Sequence, residues 1–170
     1  MRSFVAASLV GIALLAPAFV SAESAFAGRQ GRPEVAFRLT GSVLGKNAGG
    51  RATLTPVEQV VLRSGDEIAY DITATNGGGA PAPHVIPVGK IPAGTSYVGG
   101  SAKSSHARVE FSLDGGKTWS AAPMIKVKRP DGTTILKKAD PSSYTTIRFV
   151  AAGALAPHTG DVYTYEVRVK

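Results

Sequence analysis

Between Glu67 and Asn76 the side chains alternate strictly: Ile68, Tyr70, Ile72 and Ala74 against Glu67, Ala69, Asp71, Thr73 and Thr75. Successive side chains of a strand point to opposite faces, so this spacing gives one apolar face and one largely polar face. That is the pattern of an antiparallel sheet with one side on a core and the other in water. Gly65-Asp66 supplies a turn before the strand and Asn76-Gly77 one after it. Further on, Pro92-Ala93-Gly94 reads as another turn, proline fixing φ and glycine free to take a positive φ.

The same period recurs along the chain. Val35, Phe37 and Leu39 predict a first strand, and Gly45 to Gly50 a flexible loop after it. Leu54 to Leu62 is a second extended region, with Pro56 marking an edge or a strand start because proline cannot donate to a ladder. Val85, Ile86 and Val88 form a short strand beside Pro87, and Tyr97-Val98 begin another. Val109, Phe111 and Leu113 alternate with Arg108, Glu110 and Ser112. Asp114-Gly115-Gly116 then turns the chain into a return strand at Thr118-Trp119. Met124, Ile125 and Val127 are extended, Arg129 to Gly132 is a turn, and Lys137 to Ser143 is a polar loop. Ile147, Phe149 and Val150 make the penultimate strand. The last strand sets Tyr163, Tyr165, Val167 and Val169 against Thr164, Glu166 and Arg168. Short strands separated by Gly/Pro turns, with no sustained helical period after residue 27, predict an all-β antiparallel sandwich of about seven to nine strands.

Residues 1–27 read as a cleaved signal peptide: a basic Arg2, an apolar run from Phe4 to Leu15, and small-residue cut sites after Ala22 and Ala27. Either cut leaves enough chain for one domain with a core. The expected organisation is therefore 1–27 signal peptide, 28–50 leader, first strand and flexible loop, and 51–170 sandwich domain. No later run is apolar for long enough to cross a bilayer, so the mature chain is expected to lack a transmembrane segment and to be secreted, periplasmic or on the cell surface. The 170-residue chain has no cysteine. An exported fold without disulfides must rest on its hydrophobic core, or on a cross-link that does not use sulfur. Nineteen Lys and Arg against twelve Asp and Glu give a net charge of +7. The cations are scattered, without the interleaved aromatics of a nucleic-acid binder, so no nucleic-acid partner is expected. The tightest cluster, Lys126, Lys128 and Arg129, is the candidate contact for a polysaccharide or an anionic wall polymer.

The run Ser64-Gly65-Asp66-Glu67-Ile68-Ala69-Tyr70-Asp71-Ile72-Thr73-Ala74-Thr75-Asn76, the run Ile91-Pro92-Ala93-Gly94-Thr95-Ser96-Tyr97-Val98, and the closing stretch from Leu155-Ala156-Pro157 to Val169 resemble a known repeat. They are similar to the conserved repeat domain called domain of unknown function eleven, an Ig-like module of secreted and surface proteins. The resemblance covers about residues 57–170. It implies an Ig-like sandwich with a role in surface architecture or binding, and it brings no active site. Family members often occur as tandem repeats in large adhesin-like proteins, whereas one copy is read here. The family's usual Asp-Pro before the Pro-Ala-Gly turn is replaced by Gly89-Lys90, so no role of that aspartate carries over.

Ser112-Leu113-Asp114-Gly115-Gly116-Lys117-Thr118-Trp119 fits the sialidase Asp-box pattern. A glycan-cleaving propeller needs several such boxes. A single copy reads as a structural turn in which Asp114 accepts backbone hydrogen bonds, Gly116 bends the chain and Trp119 packs beneath. His84, His106 and His158 lie far apart without metal-ligand spacing. Asp66, Asp114 and Asp161 are the Ca²⁺ candidates at one end of a sandwich, although no loop has the dense acidic spacing of a calcium site. No serine sits in a nucleophile elbow, and Glu34, Glu58, Glu67, Glu110 and Glu166 are single carboxylates on strands. The reading is a non-enzymatic structural or interaction module without a cofactor, assembling with itself, as in a filament, by strand addition at an edge. Binding of carbohydrate or wall polymer is the alternative, and Ca²⁺-dependent adhesion the third. Glu34 to Leu44 is read as the domain's own first strand, or else as one donated to a neighbour.

Overall fold

The computed structural model describes residues 31–46 and 48–170. The signal-peptide reading, and Gly28 to Gln30 of the leader, lie outside the described residues. Ten strands form, with two short 3₁₀ turns and no α-helix among the described residues. They are β1 (Val35–Lys46), β2 (Ala52–Pro56), β3 (Glu67–Asn76), β4 (Val88–Lys90), β5 (Thr95–Tyr97), β6 (Ala107–Ser112), β7 (Met124–Lys128), β8 (Thr134–Lys138), β9 (Thr146–Ala151) and β10 (Thr159–Val169). No helix among the described residues is long and apolar enough to cross a membrane.

Every ladder is antiparallel, and the protein is all-β. A five-stranded sheet runs β2-β1-β3-β10-β5, a three-stranded sheet β4-β9-β6, and β7-β8 stand apart as a two-stranded arm. The period-two strands sit where the alternation puts them. β3 and β10 pair at the centre of the larger sheet, with Ile68 opposite Val167 and Ile72 opposite Tyr163, all buried. Their polar phase faces out, where the Thr164 hydroxyl donates to Asp71 at 2.7 Å. From the smaller sheet Ile147 and Phe149 of β9 are fully buried, and Phe149 meets Tyr163 across the interior at 5.3 Å between ring centroids. The two sheets thus close over one core in a sandwich-like arrangement.

Several expectations are corrected. Ten strands replace seven to nine, because the β7–β8 arm lies outside both sheets. The division at residue 50 cuts through a sheet: β1 pairs with β3 from Val35 to Val43 and with β2 from Ser42 to Lys46, so it belongs to the same folded unit as residue 51 onward. The extended region expected to reach Leu62 ends at Pro56, where a 3₁₀ turn over Val57–Gln59 takes over. The ladder of the short strand around Pro87 starts only at Val88. β5 ends rather than begins at Tyr97. Thr118-Trp119 form no return strand. A lone bridge from Phe111 to Ser120 is all that pairs there, because the Asp114 turn absorbs the intervening backbone.

Candidate interaction surface

The unequal sheets leave one side of the sandwich open. β2 covers β1 only from Ser42 onward, so residues 35–41 have β3 on one edge and no strand on the other among the described residues. β4 is the corresponding edge of the smaller sheet. Phe37 lies opposite buried Ala74 and Leu39 opposite buried Ile72, which places both on the inward face. They nevertheless remain 54 % and 56 % exposed. Three strands do not reach far enough to roof five. The resulting groove, about 360 Å³, runs between Phe37 and Leu39 on one wall and Ile86, Pro87 and Val88 on the other, with Ile72 at its floor. Its protection as a free edge is slight: residues 35–41 hold no proline or lysine and a single charge, Arg38, and only Gly41 at the end lies buried against Val57.

The wall on the β4 side is set by Gly89. An ideal Cβ there falls 2.5 Å from Tyr165 Cε1 and 2.7 Å from Cζ. The absent side chain lets β4 lie on the Tyr165 ring, whose hydroxyl donates to the Lys90 carbonyl at 2.8 Å. That ring stacks on Tyr70 at 5.3 Å, and burial pushes its phenol well above the usual range. In an adjoining depression that shares Phe37 and Ile86 with the groove, His84 holds a left-handed φ of 57°.

The Ser112–Trp119 motif is a closed turn. Asp114 accepts from the Ser112 hydroxyl at 2.7 Å, from the Lys117 and Thr118 amides at 3.0 and 2.9 Å, and from the Thr118 hydroxyl at 2.7 Å. Those donors, Ser112 foremost, hold its carboxyl far below the usual range. Gly116 takes a φ of 94° against the Trp119 ring, and Arg148 lies over that ring at 4.6 Å. Arg148 also reaches Glu110 at 2.6 and 2.8 Å, with Arg108 on the other carboxylate oxygen. The hydrogen bond from Arg148 is the main reason the Glu110 carboxyl sits below its ordinary value of 4.5. A depressed folded pKa gives stability that is present above 4.5 and is lost as pH falls through the lowered value. We therefore expect Glu110→Gln to flatten the acid side of the stability profile and leave the neutral side nearly parallel, as read from urea midpoints against pH.

The structure does not bring the Ca²⁺ candidates together. Asp66 accepts from the Arg63 amide in its own turn, Asp114 is filled by the donors just named, and Asp161 lies on β10 beside Tyr163. Among the described residues no three His, Cys, Asp or Glu side chains cluster as a metal site. His106, Asp161 and Tyr163 share a shallow open cavity of about 360 Å³, whereas His84 and His158 lie elsewhere.

Lys126 and Lys128 stand on the β7–β8 arm, and Arg129 opens the turn at its tip. The extended segment runs past Val127 to Lys128, and Lys137, expected to open a polar loop, lies instead in β8, a strand outside the expected set. Its alternation is masked by Lys137 and Lys138 following Ile135 and Leu136 directly, and only the turn at Arg129 to Gly132 signals a partner strand. The other residue missed is Asn76, read as a turn former and found fully buried. No family model, curated protein or solved structure matches the chain.

Proposed function

We propose that the protein is a non-enzymatic, exported Ig-like module that associates with further copies of itself by strand addition at the open β1 edge. One observation carries the self-association: Phe37 and Leu39 lie on the core-facing side of their strand and are still half exposed, next to a free ladder. Apolar side chains on an inward face are normally roofed, and an unroofed pair beside unpaired amides and carbonyls is a template for another strand. A second copy is the occupant that fits. Two β1 edges pair antiparallel about a two-fold axis, joining two five-stranded sheets and bringing both Phe37–Leu39 pairs out of water.

Sedimentation velocity over a concentration series tests this. The wild-type chain is expected to sediment as dimer or larger, and Leu39→Lys as monomer with a melting temperature close to wild type, since Leu39 is already half in water. A wild-type chain that stays monomeric throughout, or a Leu39→Lys chain that associates as before, overturns the reading.

A further inference from the structure

The β7–β8 arm carries a second, independent surface. Its register sets Met124 opposite Lys138, Lys126 opposite Leu136 and Lys128 opposite Thr134. Opposed residues share a face, so one face is a checkerboard of three lysines, two aliphatic side chains and a threonine. Met124 is 50 % and Leu136 64 % exposed, and the lysines are exposed too. The other face turns toward the body of the domain: Ile125, Val127 and Lys137 line a depression with Ala139, Asp140 and Pro141, and Lys138 borders it too from the end of β8. From Met124 to Lys138 the arm has five cations against one acid, Asp131, one of whose carboxylate oxygens accepts from the Thr133 amide and hydroxyl at 2.8 and 2.6 Å. Lys126, Lys128, Arg129 and Lys138 form no ion pair among the described residues.

We infer that this face docks on an anionic lipid bilayer, lysines on the headgroups and Met124 and Leu136 in the headgroup–acyl boundary. The uncompensated cations call for an anionic partner. The two aliphatic side chains decide which one. They gain by leaving water at a bilayer surface and gain nothing on a hydrophilic polymer. The arm also has no aromatic ring to stack on a sugar. This surface is separate from the β1 edge, so either can fail without the other.

The test is co-sedimentation of the full chain with phosphatidylcholine vesicles, with and without phosphatidylglycerol. The apolar stretch from Phe4 to Leu15 is common to every arm of the experiment, so differences between variants read the hairpin. Phosphatidylglycerol is expected to raise partitioning, and Lys126→Gln, Lys128→Gln and Lys138→Gln together to remove that gain on the order of a hundredfold, about fivefold per cation. Met124→Ser with Leu136→Ser is expected to lower partitioning about tenfold. The arm lies outside both packed sheets, so these variants should melt as wild type does. No gain from phosphatidylglycerol, or the same gain in the lysine variant, overturns the inference. A serine pair that binds as wild type, with soluble polyphosphate displacing the vesicles, assigns the face to a polyanionic polymer instead and equally overturns it.

Discussion

Asn76→Ala is expected to cost about 4 kcal/mol of folding stability, a fall of about 15 °C in melting temperature for a domain of this size. Asn76 is fully buried at the end of β3. Its carbonyl oxygen accepts from the Glu34 and Gly78 amides, each at 3.1 Å. Its amide nitrogen donates to the carbonyls of Ala80, Leu155 and Ala156 at 2.8, 3.1 and 3.3 Å. One side chain therefore ties together the entry to β1, the loop after β3 and the turn before β10. Alanine strands two amides and weakens three carbonyls. Leu155 and Ala156 keep a second donor each, in the Ala82 amide and the Thr159 hydroxyl, so the loss falls short of five full hydrogen bonds. Asn76→Asp is the sharper probe. It keeps the size and turns an acceptor toward three carbonyl oxygens, so it is expected to cost at least as much at neutral pH. Thermal denaturation followed by circular dichroism reads both variants. An Asn76→Ala chain melting within a degree or two of wild type would remove Asn76 as the clasp of this end of the sandwich.

Gly89→Ala is expected to lose about 3 kcal/mol, because the added Cβ overlaps a core ring that has nowhere to go. Tyr165 is fully buried, stacked on Tyr70 and tethered to the Lys90 carbonyl, so relief must come from moving β4 off β9. Tyr165→Phe keeps the ring carbons nearest the new Cβ, and on its own it should do little for Gly89→Ala. Tyr165→Leu removes them, so the double variant should be less unstable than the two single changes add up to. Strict additivity in that cycle would mean that the two residues are not in contact. Because β4 is one wall of the groove, Gly89→Ala should also disturb self-association, whereas Leu39→Lys should abolish association and spare the fold.

How far the sequence carried can be judged at particular residues. The inward phase of β3 and β10 was legible from Ile68, Ile72, Tyr163 and Val167 alone, since a strand's two faces are fixed by its own pleat. The turn at Pro92 was legible for a similar reason: Gly94 holds a φ of 81° and the Thr95 amide returns to the Pro92 carbonyl at 3.1 Å, all within four residues. The Asp114 turn is equally local. The open edge was not legible. Val35, Phe37 and Leu39 have the same period as Ile68, Tyr70 and Ile72, and nothing in that period tells a roofed strand from an unroofed one.

Short stretches of residues are enough to show that this chain makes antiparallel strands with one oily face, and where many of its tight turns fall, because strand period and turn chemistry act over a few neighbouring residues. That five strands face three, that Phe37 and Leu39 are left in water, that Gly89 makes room for Tyr165 and that Asn76 clasps segments nearly half the chain apart emerges with the folded arrangement. Those outcomes depend on which distant strands become neighbours. Side-chain burial is a property of the opposing layer, and no window along the chain contains it.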